Sequence, residues 1–568
     1  MPRPPKTRIG ELLIQQGLLS QAQLDAALLQ QQKTGRRLGR VIIDAGLLTE
    51  DRLSEALSRQ LGVPYLDLKT ANPSLEVVHQ IPEAQARRFR ALAIEDFGSR
   101  ISVAMADPTD LNAYDELSRL LGKELLLSVV AESELLDMFD RVYRRTEEIS
   151  GLARELTTDL AGVADVALDV NGLLGSSTGQ EDAPVVKLLQ TVFEEAIKMR
   201  ASDIHIEPQD DNLRIRFRID GALYVQATAD LKIASSVALR LKLISGLDIA
   251  EKRLPQDGRF NFVARGQPVD VRLSTMPTQN GESVVMRLLN QSGGMLSLDR
   301  LGMSISVLEK LRHAIHRANG MVLVTGPTGS GKTTTLYAAL SELNSTERKI
   351  ITVEDPIEYR LPGINQVQVH EKIDLGFERV LRSALRQDPD VLLVGEMRDQ
   401  ITAEIGMRAA MTGHMVLSTL HTNDAVSTPI RLIDMGVARY MVAISVQLVL
   451  AQRLVRLNCD ACAEVIEPTP AQQAWLATEG VTKGRYMRGA GCVRCNNTGY
   501  LGRSGVYEVL EMSKSVVEAI NDSDPNAFVR AARAQLGDAT LQRDAARLAA
   551  TGRTSIEEAM LVANEFID

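Results

Sequence analysis

Gly326-Pro327-Thr328-Gly329-Ser330-Gly331-Lys332-Thr333 satisfies the spacing G-x-x-x-x-G-K-[ST] in full. Glycines at these positions let backbone N–H groups converge on phosphate oxygens, and a helix opening behind them adds the positive end of its dipole. Lys332 is expected to reach the β- and γ-phosphates of ATP, with the Thr333 hydroxyl on Mg²⁺ and Thr334 beginning the helix. Downstream, Val391–Val394 is an apolar run that leads through Gly395 to Glu396. An acid at the end of a buried strand can orient a water, hold Mg²⁺ through water, or do both. A second acidic group, Glu354, Asp355 and Glu358, follows the β run that starts at Ile350.

Cysteine chemistry is confined to one place. All four cysteines form two C-x-x-C pairs, Cys459/Cys462 and Cys492/Cys495. Two such pairs can each grip one edge of a tetrahedral Zn²⁺ with no open position, which makes a structural staple rather than a catalytic metal.

These groups need elements to position them. The run Met321–Thr325 and the helical pattern from Thr334 provide the strand and helix that a phosphate loop joins. At 568 residues the chain exceeds what one core serves, so several domains are expected. We read a tandem helical repeat over 1–69, a small α/β unit over 70–147, a linker over 148–182 and a second small α/β (PAS-like) domain over 183–290. A RecA-like P-loop domain then covers 298–568, carrying the cysteine subdomain (about 456–508) and C-terminal helices. The fold class is thus α/β, multidomain. A net charge of −9 gives no global electrostatic case for binding a nucleic acid polymer. The N-terminus lacks the apolar core of a signal peptide. The longest apolar stretch, 441–457, is broken by Ser445, Gln447, Gln452, Arg453 and Arg456 and cannot span a bilayer. A soluble protein of a reducing compartment is expected.

Several motifs in order resemble those of the type II secretion and type IV pilus assembly ATPases. Ile351-Thr-Val-Glu-Asp-Pro-Ile-Glu358 looks like their Asp box, Thr412 to Asp424 like their His box, and Ala201-Ser-Asp-Ile-His-Ile-Glu-Pro208 is also typical. The resemblance implies a cytoplasmic homo-hexamer, peripheral to the inner membrane, that hydrolyses ATP and turns an inner-membrane platform protein. It also implies roles for His421 as a γ-phosphate sensor and for Glu354 beside Glu396. Arg382 and Arg386, four residues apart before the acidic strand, become phosphate-directed arginines on the same ground. Arg216, Arg218 and Arg240 are further cationic candidates from the preceding domain. Retraction-type relatives are expected to lack both the cysteine module and the long N-terminal extension, so pilus extension or type II secretion is implied. A nucleotide-binding scaffold without turnover is the alternative of another class. Intact Lys332, Thr333, Glu396 and His421 speak against it.

The N-terminal repeat has a period of 29 residues: Arg8-Ile9-Gly10 returns as Arg37-Leu38-Gly39, and Leu24, Leu28 and Gln31 return as Leu53, Leu57 and Gln60. Each unit reads as helix, C′ glycine (Gly17, Gly46), then helix. Ser20 with Gln23 suggests a capping box and Thr49 the matching N-cap. The repeat resembles the N-terminal domain of MSHA-type pilus ATPases, which implies cyclic di-GMP as a regulatory ligand. Arg8 and Arg37 would pair with guanine edges or phosphates, the four leucines would wall the purines, and the glutamines would supply amide hydrogen bonds.

Overall fold

The 29-residue repeat folds as two helix pairs, Ile9–Gln15 with Gln21–Thr34 and Leu38–Asp44 with Glu50–Leu61. The computed structural model describes residues 9–34, 38–68, 71, 73–143, 146–162, 184–264, 267–290, 296–522, 524 and 526–564. Gly17 and Gly46 both take left-handed φ (68° and 67°), as a helix C′ position requires. The Ser20 hydroxyl accepts from the Gln23 N–H at 3.3 Å, and the Gln23 side chain accepts from the Ser20 N–H at 2.9 Å, closing the expected capping box. Thr49 differs. It has extended backbone, but its hydroxyl makes no cap bond. Glu50 and Asp51 put negative charge on that helix start instead.

Gly10 and Gly39 explain why the repeat keeps a glycine there. A Cβ on Gly10 would lie 2.8 Å from Leu24 Cδ1, and one on Gly39 would lie 2.9 Å from Leu53 Cδ2. Leu24 and Leu53 are correspondingly buried. Gly39→Val is therefore expected to destabilise the helix pair by about 1–3 kcal/mol through overpacking. Faster amide hydrogen exchange along residues 50–61 is the readout; unaltered protection would show that Leu53 simply moves aside.

The chain divides into two compact units. The first comprises Met1–Arg145, Cys459–Glu464 and Gly489–Leu501; the second comprises Thr146–Asn458, Val465–Arg488 and Gly502–Asp568. Within the first, a three-stranded sheet (Ala91–Asp96, Arg100–Met105, Glu124–Val129) packs with helices Leu111–Leu121 and Glu132–Val142. The Glu50 carboxylate accepts from the backbone N–H groups of Glu132 and Ser133 at 3.1 and 3.3 Å, so the repeat caps that second helix. Val493, between the second pair of cysteines, is 5% exposed and belongs to the same core as Leu135, Met138 and Phe139.

In the second unit, the beginning of the expected linker is structured. Thr146–Gly162 is a helix whose Ile149, Ala153 and Leu156 share a core with Val185 and Leu188 of helix Pro184–Lys198. The remainder, 163–183, lies outside the described residues. A six-stranded antiparallel sheet follows. Its strand Asn212–Ile219 alternates as expected, with Leu213, Ile215, Phe217 and Ile219 buried.

The P-loop domain centres on a seven-stranded sheet ordered Asn365–Gln368, Ile350–Glu354, Val391–Val394, Met415–Leu420, Gly320–Thr325, Val446–Asn458, Tyr500–Glu511. The first six run parallel. Val322 and Val324 face one apolar core with Leu336 and Leu340, while Met321 and Leu323 face another with Ala403 and Met407. Both faces being covered, the central strand Gly320–Thr325 reads as a near-continuous apolar run. Thr325 is level with Leu420 on one side and Ala451 on the other. Parallel pairing therefore delivers Gly326, His421 and Gln452 to the same edge, and Val394 delivers Gly395 and Glu396 there too. Among the described residues, no helix is long and apolar enough to cross a membrane.

Candidate functional site

Gly326 leaves the central strand with φ 147°, and a Cβ on it would sit 2.4 Å from the Gln452 carbonyl oxygen. Gly329 and Gly331 are also at positive φ, and helix Lys332–Leu343 starts directly behind. Among the described residues the buried Ser330 hydroxyl makes no hydrogen bond, and it lies 2.6 Å from where a Cβ of Gly326 would be, so an orphaned polar atom lines the loop. The loop thus fits a polyphosphate. Lys332 Nζ donates to the carbonyls of Gly326 (2.7 Å) and Pro327 (3.0 Å). Burial, with the Arg453 guanidinium adding to it, brings its ammonium down to about 8; the Glu396 carboxylate opposes.

Glu396 stands at the centre of the remaining polar groups. Its Oε1 pairs with the Arg398 guanidinium, and its Oε2 lies 3.9 Å from His421 Nε2. Burial first, then Lys332, press the His421 pKa below its ordinary value, so the ring is neutral at pH 7. Arg398 also approaches Asp355 at 3.9 Å. Glu354 is placed differently from Glu396. It is 4% exposed, and its carboxylate accepts from the Tyr337 hydroxyl, from Thr352 Oγ1 (2.6 Å) and from Gln366 Nε2 (3.3 Å). That network fastens the Asp-box strand to the P-loop helix. Glu358 turns the other way, where its Oε2 meets Arg272 Nη1 at 3.0 Å.

The helix carrying Arg382 ends at Ala384, so Arg386 sits in a following 3₁₀ turn rather than on the same α-helix. The two still adjoin: Arg386 Nη1 donates to the Arg382 carbonyl at 2.8 Å, while Arg382 pairs with Glu378 at 3.0 Å. Both are exposed. Arg216 pairs with Glu207 at 2.7 Å and Arg218 lies 3.7 Å from Asp203. In the Ala201–Pro208 motif Asp203 is level with Arg218 on the adjacent strand, while Glu207, level with Arg214, reaches Arg216 diagonally. Arg240 is half-buried on helix Ala234–Ile244.

The four cysteines come together, all buried, with their sulfur atoms within 4.8 Å of one another. Sγ separations are 3.7 Å for 459/492, 3.8 Å for 462/495 and 3.7 Å for 492/495. A zinc ion with Zn–S bonds of about 2.3 Å requires a tetrahedron with edges of about 3.8 Å. A disulfide needs about 2.0 Å. Backbone N–H groups of Cys492 and Gly499 donate to Cys495 Sγ at 3.2 Å, support suited to a thiolate. The donor set fits Zn²⁺.

A family model described as "Type II/IV secretion system protein" matches residues 178–561. The chain belongs to that family. A second model, the MshEN domain, matches 61–149, which is the α/β part of the N-terminal region and not the helix pairs before it. The chain is 40% identical over 556 residues to the type IV pilus assembly ATPase PilB of Myxococcus xanthus, covering 97% of this chain and 98% of that one. It is 41% identical over 495 residues to the type II secretion system ATPase E of Vibrio cholerae, at 86% and 97% coverage. The structure of the ATPase DotB of Legionella pneumophila matches with a TM-score of 0.51 and 22% identity over 67% of this chain and 96% of that one, a likeness of fold.

In this member of the secretion family, several polar groups near the loop carried no motif signal of their own. Gln452 Nε2 donates to the Ser330 carbonyl (2.8 Å), and its Oε1 accepts from Thr335 (2.7 Å). Arg453, Arg398 and Arg272 likewise entered only through the fold. At the N-terminal repeat, Arg8 and Arg37 lie outside the described residues. Leu24 and Leu53 are core side chains against glycine. Leu28 is 37% exposed, while Ile9, Gln31, Leu38, Leu57 and Gln60 are half-buried.

Proposed function

We propose that this chain is the hexameric, cytoplasmic ATPase that drives extension of a type IV pilus through an inner-membrane platform protein. One observation carries this reading: a complete phosphate loop meets Glu396 and His421 at one sheet edge in a chain aligned end to end with a pilus assembly ATPase. Lys332 and the loop amides would hold the β- and γ-phosphates. Thr333, with Glu396 through water, would hold Mg²⁺, which would supply charge neutralisation at the phosphates. Glu396 orients the attacking water, and neutral His421 offers one N–H toward the terminal phosphate. Zinc at the four thiols is structural.

Type II secretion is the second reading, favoured by the alignment with the Vibrio cholerae secretion ATPase. Deleting the gene in its native host decides between them. Loss of surface pili with secretion intact is expected; intact pili with periplasmic accumulation of exoproteins would select the second reading.

Cyclic di-GMP is the proposed regulatory ligand of the repeat, with Arg8 and Arg37 as its charged contacts. Calorimetric titration of the full chain is expected to show micromolar binding that disappears in Arg8→Ala/Arg37→Ala. Absence of heat, or binding indifferent to both substitutions, would refute it.

A further inference from the structure

Arg453 is 4% exposed on strand Val446–Asn458, two residues beyond Ala451, which the register aligns with Thr325 at the end of the P-loop strand. Its Nη2 donates to the Asn423 carbonyl at 2.9 Å, and its Nη1 donates to the Gln452 carbonyl at 3.1 Å. The same Nη1 lies 3.2 Å from where a Cβ of Gly326 would be. One guanidinium therefore touches the segment just past His421 while lying against the first turn of the phosphate loop.

The segment it holds is tied down at other points. Thr325 Oγ1 donates to the Leu420 and Thr422 carbonyls at 3.1 and 3.2 Å, and accepts from the Thr422 N–H at 3.0 Å. The Ala425 N–H donates to Glu508, a carboxylate 5% exposed on the neighbouring strand. Burial raises the Glu508 pKa and Arg453 opposes that shift, so the two charges lie within electrostatic reach. Arginine suits this position because a planar fork can bond two carbonyls at once and stay charged when buried.

We propose that Arg453 is a positioning residue for hydrolysis: by holding the Asn423 carbonyl while packing beside Gly326, it sets His421 and Lys332 against the same terminal phosphate. This rests on the reading that ATP is hydrolysed at this loop. It makes a directional statement about kinetics. Arg453 also repels the Lys332 ammonium, so removing it relieves the cation that binds phosphate. Ground-state binding should then hold while the alignment needed in the transition state is lost.

The test uses full-length, zinc-loaded chain with Arg453→Met and Arg453→Lys. Arg453→Met is expected to lower kcat by about 10- to 100-fold with KM for ATP within about threefold, and Arg453→Lys to recover part of kcat. Hydrogen exchange without nucleotide supplies an arm independent of turnover: the amides of Thr422 and Ala425 should exchange at least about tenfold faster in Arg453→Met, with the amides of helix 332–343 unchanged. Unaltered kcat, a rise in KM that accounts for the whole loss, or unaltered exchange over 421–425 would overturn the proposal. If wild type releases no phosphate, the reading of the site fails, and the exchange arm still decides whether Arg453 fixes the segment. Should Arg453→Met not fold, Arg453→Lys is judged by the same kcat and exchange criteria.

Discussion

Glu396→Gln is expected to cut Mg²⁺-dependent phosphate release about 100- to 1,000-fold while ATP still binds. The substitution keeps the size of the side chain and an oxygen that can accept from Arg398, so the pairing at the end of strand Val391–Val394 survives in shape. What it removes is the negative charge and the capacity to polarise a water. Neither His421 nor Glu354 replaces either. His421, 3.9 Å away, is held neutral at pH 7 by burial and by Lys332. Glu354 is engaged by Tyr337, Thr352 and Gln366. Lys332 remains mostly protonated at pH 7 and keeps the phosphates in both proteins. Loss in kcat with little change in KM is the expected pattern. Equal rates for variant and parent would remove Glu396 from the mechanism, and zero rate in both would favour a regulatory scaffold.

Most of this site could be read before any coordinates because its chemistry sits in short, local patterns. The phosphate loop, the apolar run ending at Glu396 and the His421 segment each place their residues within a few positions of a strand end. Parallel pairing then brings those ends together without further instruction. The groups that were not legible depend on long-range contacts. Arg453 and Gln452 looked like interruptions of an apolar stretch, yet they bond residues 30 to 122 positions away. Arg272 reaches the Ile357 carbonyl 85 residues on. Glu354 had the same signature as Glu396, an acid ending a β run, and only the position of Tyr337 distinguishes an anchored carboxylate from one beside His421. Helix Thr146–Gly162 was hidden for a related reason. Gly151, Thr157 and Thr158 weaken its intrinsic propensity, and packing against Val185 and Leu188 overrides them. Periodicity did recover the helix pairs of the repeat, but could not separate core leucines from ligand-facing ones. Leu24 and Leu28 share the helical spacing, and the glycine at position 10 decides which is buried.

Removing zinc is expected to have consequences beyond the cysteine module itself. Structural Zn²⁺ in zinc-finger peptides contributes about 10–16 kcal/mol of apparent binding energy at pH 7, so a zinc ion would be a principal stabiliser of the short segments around Cys459–Cys462 and Cys492–Cys495. Those segments carry a 3₁₀ turn, Val493–Cys495, a two-stranded sheet of Ala463–Val465 with Met487–Gly489, and a few apolar contacts around the sulfurs. Val493 lies inside that turn, and its side chain is buried with Leu135, Met138 and Phe139 of the N-terminal α/β core. A zinc ion at the four thiols would therefore fix the backbone that presents Val493. Chelation, or Cys492→Ser, should release one zinc per chain, open the 489–501 segment to protease and raise amide exchange in helix Glu132–Val142. Val493→Asp separates the two links: zinc should be retained while the helix loses protection, because a carboxylate at a 5%-exposed position among apolar side chains carries a desolvation cost. If chelation loosens residues 489–501 but leaves helix 132–142 fully protected, Val493 is an incidental contact and the metal stabilises only its own loop.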